Sequence, residues 1–201
     1  VLADQVPLER KSCFEFEEGI AILDLLFTVE GMTPEHLHLA LNHIPFLGSI
    51  LALVPILVGL IARNKTTLLT GLALAAATGW VTPFVMETGE QAYERYEYSS
   101  IRDYLDPQFE DSLHVHEKRA HDWSKVLYAS AVVSSLALVL LLWKPKAGQI
   151  VSLLAAFLCL AAFLSGIWIA ESGGKIRRPD FRETPPPAAL GEYYEEDSEE
   201  E

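Results

Sequence analysis

The sequence predicts an all-α fold: an integral membrane four-helix bundle with a short N-terminal extramembrane segment and a disordered acidic tail. Three observations carry this expectation. Half of the 201 residues are hydrophobic although the formal net charge is -13, so charge and apolarity must be segregated along the chain. Four apolar runs, residues 44–62, 66–86, 126–143 and 150–170, contain no Asp, Glu, Lys or Arg. Each is close to the roughly 20 residues that a helix needs to cross a hydrocarbon core about 30 Å thick. Four such runs in one small chain would leave a soluble protein too little polar surface.

The N-terminal segment, residues 1–33, holds one shorter apolar stretch, residues 19–28, interrupted by Asp24. At that length it reads either as an interfacial or partner-packing helix or as a packed helix of a small soluble cap. Thr33-Pro34-Glu35 then starts helix one: Thr caps, Pro fits the first turn, and Glu complements the positive helix end. Helix one is expected over residues 34–62. The polar turn Arg63-Asn64-Lys65 is so short that helix two must return antiparallel beside it. Pro45, Pro55 and Pro83 fall within the spans and predict local kinks, where neighbours must satisfy the backbone groups they free.

A polar connection is expected from Glu87 to about Gln108. Asp111 or Ser112 can cap helix three, which runs through a histidine cluster to Trp143. Lys144-Pro145-Lys146 turns the chain into helix four, which closes a four-helix domain over residues 34–179. Residues 180–201 form a Pro-rich spacer and an acidic end that lacks the means to build a core. Cys13 lies in the polar N-terminal segment and Cys159 at lipid depth, so no disulfide is expected between them. Both short turns carry only basic charge (Arg63, Lys65, Lys144, Lys146), which favours placing them in the cytoplasm, with both termini outside.

All six histidines belong to two triplets, His36, His38, His43 and His114, His116, His121, at the starts of helices one and three. Those helices cross the membrane in the same direction, so both triplets reach one surface. Counting along the helices puts His43 and His121 within about 4 to 5 Å of the same height. Helices two and four deliver Glu87, Glu90 and Glu171 to that end, and Glu117 shares a helix face with His114 and His121. Histidine and carboxylate from several helices of a bundle are the materials of metal and cofactor sites. A b-type haem would draw on His43, His116 and His121, with His43 and His121 the height-matched pair. A transition-metal site would draw on His43, Glu87, Glu90, His116, Glu117 and His121. His38 and His114 rank last. The bland alternative is that these groups cap helices, pair with Lys118, Arg119 or Arg177, and meet water.

Four short motifs surround the spans: residues 41–48 (Leu-Asn-His-Ile-Pro-Phe-Leu-Gly), Thr88-Gly89-Glu90, His116-Glu117, and Gly173-Gly174-Lys175-Ile176-Arg177. In these the chain resembles a family of small four-span bacterial membrane proteins of unknown function. The resemblance implies a four-helix domain of a bacterial inner membrane, with the outer side periplasmic, sometimes accompanied by c-type cytochrome domains, and raises His43, His116, Glu90 and Glu117 above their neighbours. Arg178 and Asp180 stand where the family pattern has His and Glu.

No nucleophile motif, Gly-rich phosphate loop or basic nucleic-acid patch is present, and the acidic balance disfavours nucleic acid. Two functions are therefore expected. One is a non-catalytic subunit of a larger redox or photosynthetic membrane complex, in contact with lipid, other subunits and a basic soluble cytochrome. The other is an independent haem- or metal-binding electron-transfer protein, quinol-linked through a proton acceptor such as His43 or Glu87.

Overall fold

The computed structural model describes residues 32–99 and 107–182; the stretch around Asp24, Cys13 and the acidic tail lie outside the described residues. Every regular element among the described residues is helical: α1 (Pro34–Leu41), α2 (Ile44–Ile61), α3 (Lys65–Gly79), α4 (Thr82–Glu97), α5 (Pro107–Trp143) and α6 (Pro145–Arg177), then a 3-10 turn at Pro179–Phe181. They form four arms long and apolar enough to cross a membrane, Pro34–Ile61, Lys65–Glu97, Gln108–Trp143 and Pro145–Arg177. The chain is an all-helical membrane bundle.

Local chemistry explains where the arms bend and turn. Asn42 and His43 interrupt the first arm just before Pro45, and Trp80 and Val81 interrupt the second just before Pro83. Proline lacks an N–H and crowds the preceding turn, so a helix breaks or bends there. Pro55 is accommodated within α2. Between α2 and α3, Arg63 takes a left-handed φ of 50°, and the Asn64 side chain caps α3 by accepting from the Thr67 N–H at 3.1 Å. A single residue, Lys144, separates α5 from α6.

Three expectations are corrected. Thr33 does stand at the N-cap of α1, but its hydroxyl meets Nδ1 of His36 at 3.1 Å rather than a backbone N–H. The polar connection begins later than Glu87, because α4 continues to Glu97 through a good helix-forming sequence. Within it Gln91 donates to Glu87 at 2.8 Å, and Arg95 pairs with Glu35 of α1 at 3.3 Å. Helix three starts at Pro107 instead of Asp111 or Ser112; proline suits a first turn, and Ser112 sits inside the helix with its hydroxyl on the Gln108 carbonyl.

Around the bundle α2 packs against α3 and α6, and α5 packs against the same two helices. Helices α2 and α5 therefore stand on one diagonal and α3 and α6 on the other. The interior is made of small residues: Ala52, Ala75, Ala137, Ala155, Cys159 and Ala162 are buried, as are Ser130, Ser134 and Ser152, with Ile56, Leu72 and Leu141 as the larger fillers. Glycine sets the closest approaches. A Cβ on Gly166 would overlap the Phe46 side chain, and one on Gly71 would lie 2.7 Å from Ile56. The larger apolar residues, among them Leu51, Ile61, Leu142, Ile150 and Phe157, point outward. This inversion suits lipid, where helices gain little from burying Leu and associate through small residues that let backbones approach.

Candidate functional site

Beyond the apolar runs, at the end where the chain carries its histidines, two imidazoles are half-buried between the arms. His38 of α1 places Nδ1 3.0 Å from the Val85 carbonyl of α4. His116 of α5 places Nδ1 3.2 Å from the Ile169 carbonyl of α6 and 3.2 Å from Oγ of Ser172. A carbonyl only accepts, so both rings carry their proton on Nδ1 when neutral, and Nε2 keeps the lone pair. The two ring centroids lie 6.4 Å apart, with the ring planes at 83°.

Each ring rests on a glycine of the arm that returns beside its own. A Cβ on Gly89 would lie 2.9 Å from Cε1 of His38, and a Cβ on Gly173 would lie 3.1 Å from Cε1 of His116. Beside each glycine a small hydroxylated residue turns inward: Thr88 is buried with its hydroxyl on the Phe84 carbonyl, and Ser172 is buried with its hydroxyl on the Ile169 carbonyl. The two halves of the chain thus build the same half-site. In each, a histidine donates to the carbonyl four residues before a glycine and packs on that glycine.

Burial is the main influence on both rings and lowers their pKa below the ordinary imidazole value. The hydrogen bonds to Val85 and Ile169 oppose it; His43 adds to the lowering at His38, and His38 and Arg119 add to it at His116. Both imidazoles are thereby favoured in their neutral form. One turn inward from His38, Oδ1 of Asn42 is buried and has no hydrogen-bond partner.

A charged cluster flanks His116. The Arg119 guanidinium stacks 3.8 Å over the Trp168 ring and donates to the Trp168 carbonyl at 3.0 Å. Arg119 and Lys175 both pair with Glu171, so two cations share one carboxylate.

Of the residues singled out from sequence, only His116 enters this site. His43 and His121 are exposed, and the His43 ring lies against Phe46 with centroids 5.6 Å apart. Glu87 and Glu90 are exposed, and Glu87 accepts from Gln91. Glu117 is exposed and reaches Nδ1 of His114 at 3.7 Å, and His114 also lies beside Glu110 and Tyr93. Among the described residues no group of three or more His, Cys, Asp or Glu side chains converges as a metal site would require, so the six-residue metal set is not assembled. Arg178 and Asp180 pair with each other through two hydrogen bonds of 2.9 and 2.8 Å.

The partner of His116 is His38, which stood last with His114 among the sequence candidates. Five residues separate His38 from His43, which turns them onto different helix faces. The signal that finds the pair is an internal repeat. His-x-His-x4-His occurs at His36, His38, His43 and again at His114, His116, His121, and Glu-Thr-Gly at residues 87–89 is echoed by Glu-Ser-Gly at 171–173. In both copies it is the middle histidine that meets the glycine. Comparison with known proteins finds no matching family model, no matching curated protein and no matching solved structure, so the reading of this site stands on its geometry.

Proposed function

We propose that the chain is a non-catalytic electron-transfer subunit of a bacterial inner membrane, with a metal-centred cofactor held between His38 and His116. The observation that carries this reading is the duplicated half-site. Two neutral imidazoles on one diagonal of a bundle, each oriented by a backbone carbonyl through Nδ1, are the arrangement in which a hydrogen bond on the far ring nitrogen fixes a metal-ligating histidine. Nothing in the sequence supplies a nucleophile or substrate-activating motif, which favours electron transfer over catalysis. His38 and His116 would hold such a cofactor, which when bound would supply reversible one-electron transfer between carriers with no bond to substrate made or broken.

The short basic turns at Arg63, Lys65, Lys144 and Lys146 support placing the site on the periplasmic side. The partners proposed are other subunits of a membrane redox complex and a basic soluble cytochrome attracted by the acidic C-terminal sequence. The test is voltammetry of the full chain purified from membranes. A reversible one-electron wave lost in His38→Ala and in His116→Ala, and kept in His43→Ala, supports the reading. A folded chain with no electroactive centre contradicts it.

A further inference from the structure

We infer that the group bridging His38 and His116 is one iron porphyrin, a b-type haem with both imidazoles as axial ligands. This rests on the reading of the site as a metal-centred redox cofactor and names its chemistry. The first observation is the spacing. A metal–imidazole bond of about 2.0–2.1 Å, added to the roughly 1.1 Å from Nε2 to the ring centre and doubled across the metal, gives about 6.3 Å between ring centres. The rings are 6.4 Å apart.

The second observation is the number of ligands. A bare zinc ion takes about four protein ligands, and magnesium or calcium takes about six or more oxygens. Here two imidazoles meet, and among the described residues no third His, Cys, Asp or Glu joins them. A metal that brings four equatorial nitrogens of its own needs two axial ligands and no others, which is the haem case. A two-coordinate copper(I) ion is the remaining metal that two imidazoles alone would satisfy, and the experiment separates it.

The surroundings agree. The residues beside the imidazoles on the returning arms are the small Gly89, Gly173, Thr88 and Ser172, which leave no bulky side chain of their own over the rings. Asn42 carries a buried amide oxygen without a partner one turn from His38, and the amide can be turned end for end to offer its N–H groups to a polar atom on the cofactor rim. Arg119 and Lys175 share Glu171, leaving one positive charge in excess beside His116, the sign that haem propionates require.

The full chain, expressed in haem-replete cells and purified in detergent, is expected to carry one non-covalent haem per chain by the pyridine haemochrome assay. Its oxidised form is expected to give the highly anisotropic low-spin EPR signal of near-perpendicular axial imidazoles, as the 83° interplanar angle requires. His38→Gly and His116→Gly should each lose low-spin haem and regain it when free imidazole is added, a rescue that a merely misfolded variant would not show. A folded chain that binds copper through these histidines but no haem overturns this inference and leaves the redox reading standing. A folded chain that takes up neither, or haem unaffected by both glycine variants, overturns it and removes the support for the cofactor site between His38 and His116.

Discussion

His38 lies so close to Gly89 that any side chain at that position would enter the imidazole: a Cβ there would be 2.9 Å from Cε1. Gly89 is inside α4, where replacing glycine by alanine ordinarily stabilises a helix by about 0.5–1 kcal/mol. At this position the site and the helix want opposite things. Gly89→Ala is expected to leave helicity and melting temperature unchanged or slightly raised while cofactor content falls severalfold, and Gly173→Ala should do the same through His116. Circular dichroism and cofactor-to-protein ratio, measured on one preparation, separate the two effects. Equal cofactor content in both variants would mean that the imidazoles have room to move.

Packing within the membrane gives a stability prediction of opposite character. A Cβ on Gly166 would overlap Phe46, which joins α2 to α6 in the core cluster nearer the histidine end. Overpacking a close-packed interior costs typically about 1–3 kcal/mol. Gly166→Ala should therefore lower the thermal midpoint in detergent. A midpoint that does not move would place the α2–α6 contact elsewhere.

The pH dependence follows from the two half-buried rings. Both His38 and His116 have pKa values lowered in the folded chain, chiefly by burial. The unfolded chain, with imidazoles near about 6.5, binds protons first as pH falls. The stability these neutral rings contribute is thus fully present above that value and is lost as pH falls through the folded values. The cofactor-free chain is expected to lose thermal stability below about pH 6.5, and a His38→Gln, His116→Gln variant should have a flatter profile over the same range. Identical slopes would assign the acid sensitivity to other groups.

Much of this architecture was legible in the chain, and what was not has a physical cause. Uncharged runs and the basic turns at Arg63 and Lys144 announce four crossings because a bilayer leaves no other use for them. The continuation of α4 to Glu97 is hidden because charge replaces apolar residues beyond Met86, whereas Gln91 bonds to Glu87 within the helix and Arg95 ties it to Glu35 of α1. The repeated His-x-His-x4-His marks His38 and His116 alike as middle histidines, yet height along the helices favours His43 and His121. Height along an axis is set by residue number, but which face turns inward depends on the break at Asn42 and His43 and on which arms are neighbours. Gly89 and Gly173 act through what they lack, and a missing side chain is visible only against the ring that fills its place.

Topology is expected to put the histidine end on the periplasmic side. Single cysteines at Asn64 or Leu190, probed in intact cells with a membrane-impermeant reagent, should label at Leu190 and not at Asn64. The reverse pattern would invert the orientation and place the cofactor on the cytoplasmic side.

The acidic residues after Pro187, among them Glu192, Glu195, Glu196, Asp197 and Glu199 to Glu201, are expected to attract a basic carrier over distance. Truncation after Pro187 should slow association with a basic soluble cytochrome at low salt and matter little at high salt, where screening has already weakened the attraction. Stopped-flow mixing at two ionic strengths measures this. Equal rates for the full and truncated chains at low salt would remove the tail from partner capture.

His38 and His116, rather than the exposed His43 and His121, are proposed to hold the redox centre. The most direct measurement is a potentiometric titration of the reduced-minus-oxidised visible spectrum for four single alanine variants in native membranes. The expected result is a full signal with an unshifted or slightly shifted midpoint in His43→Ala and His121→Ala, and loss of the signal in His38→Ala and His116→Ala. A signal that survives both inner substitutions, or vanishes with either outer one while the inner variants keep it, would contradict the account.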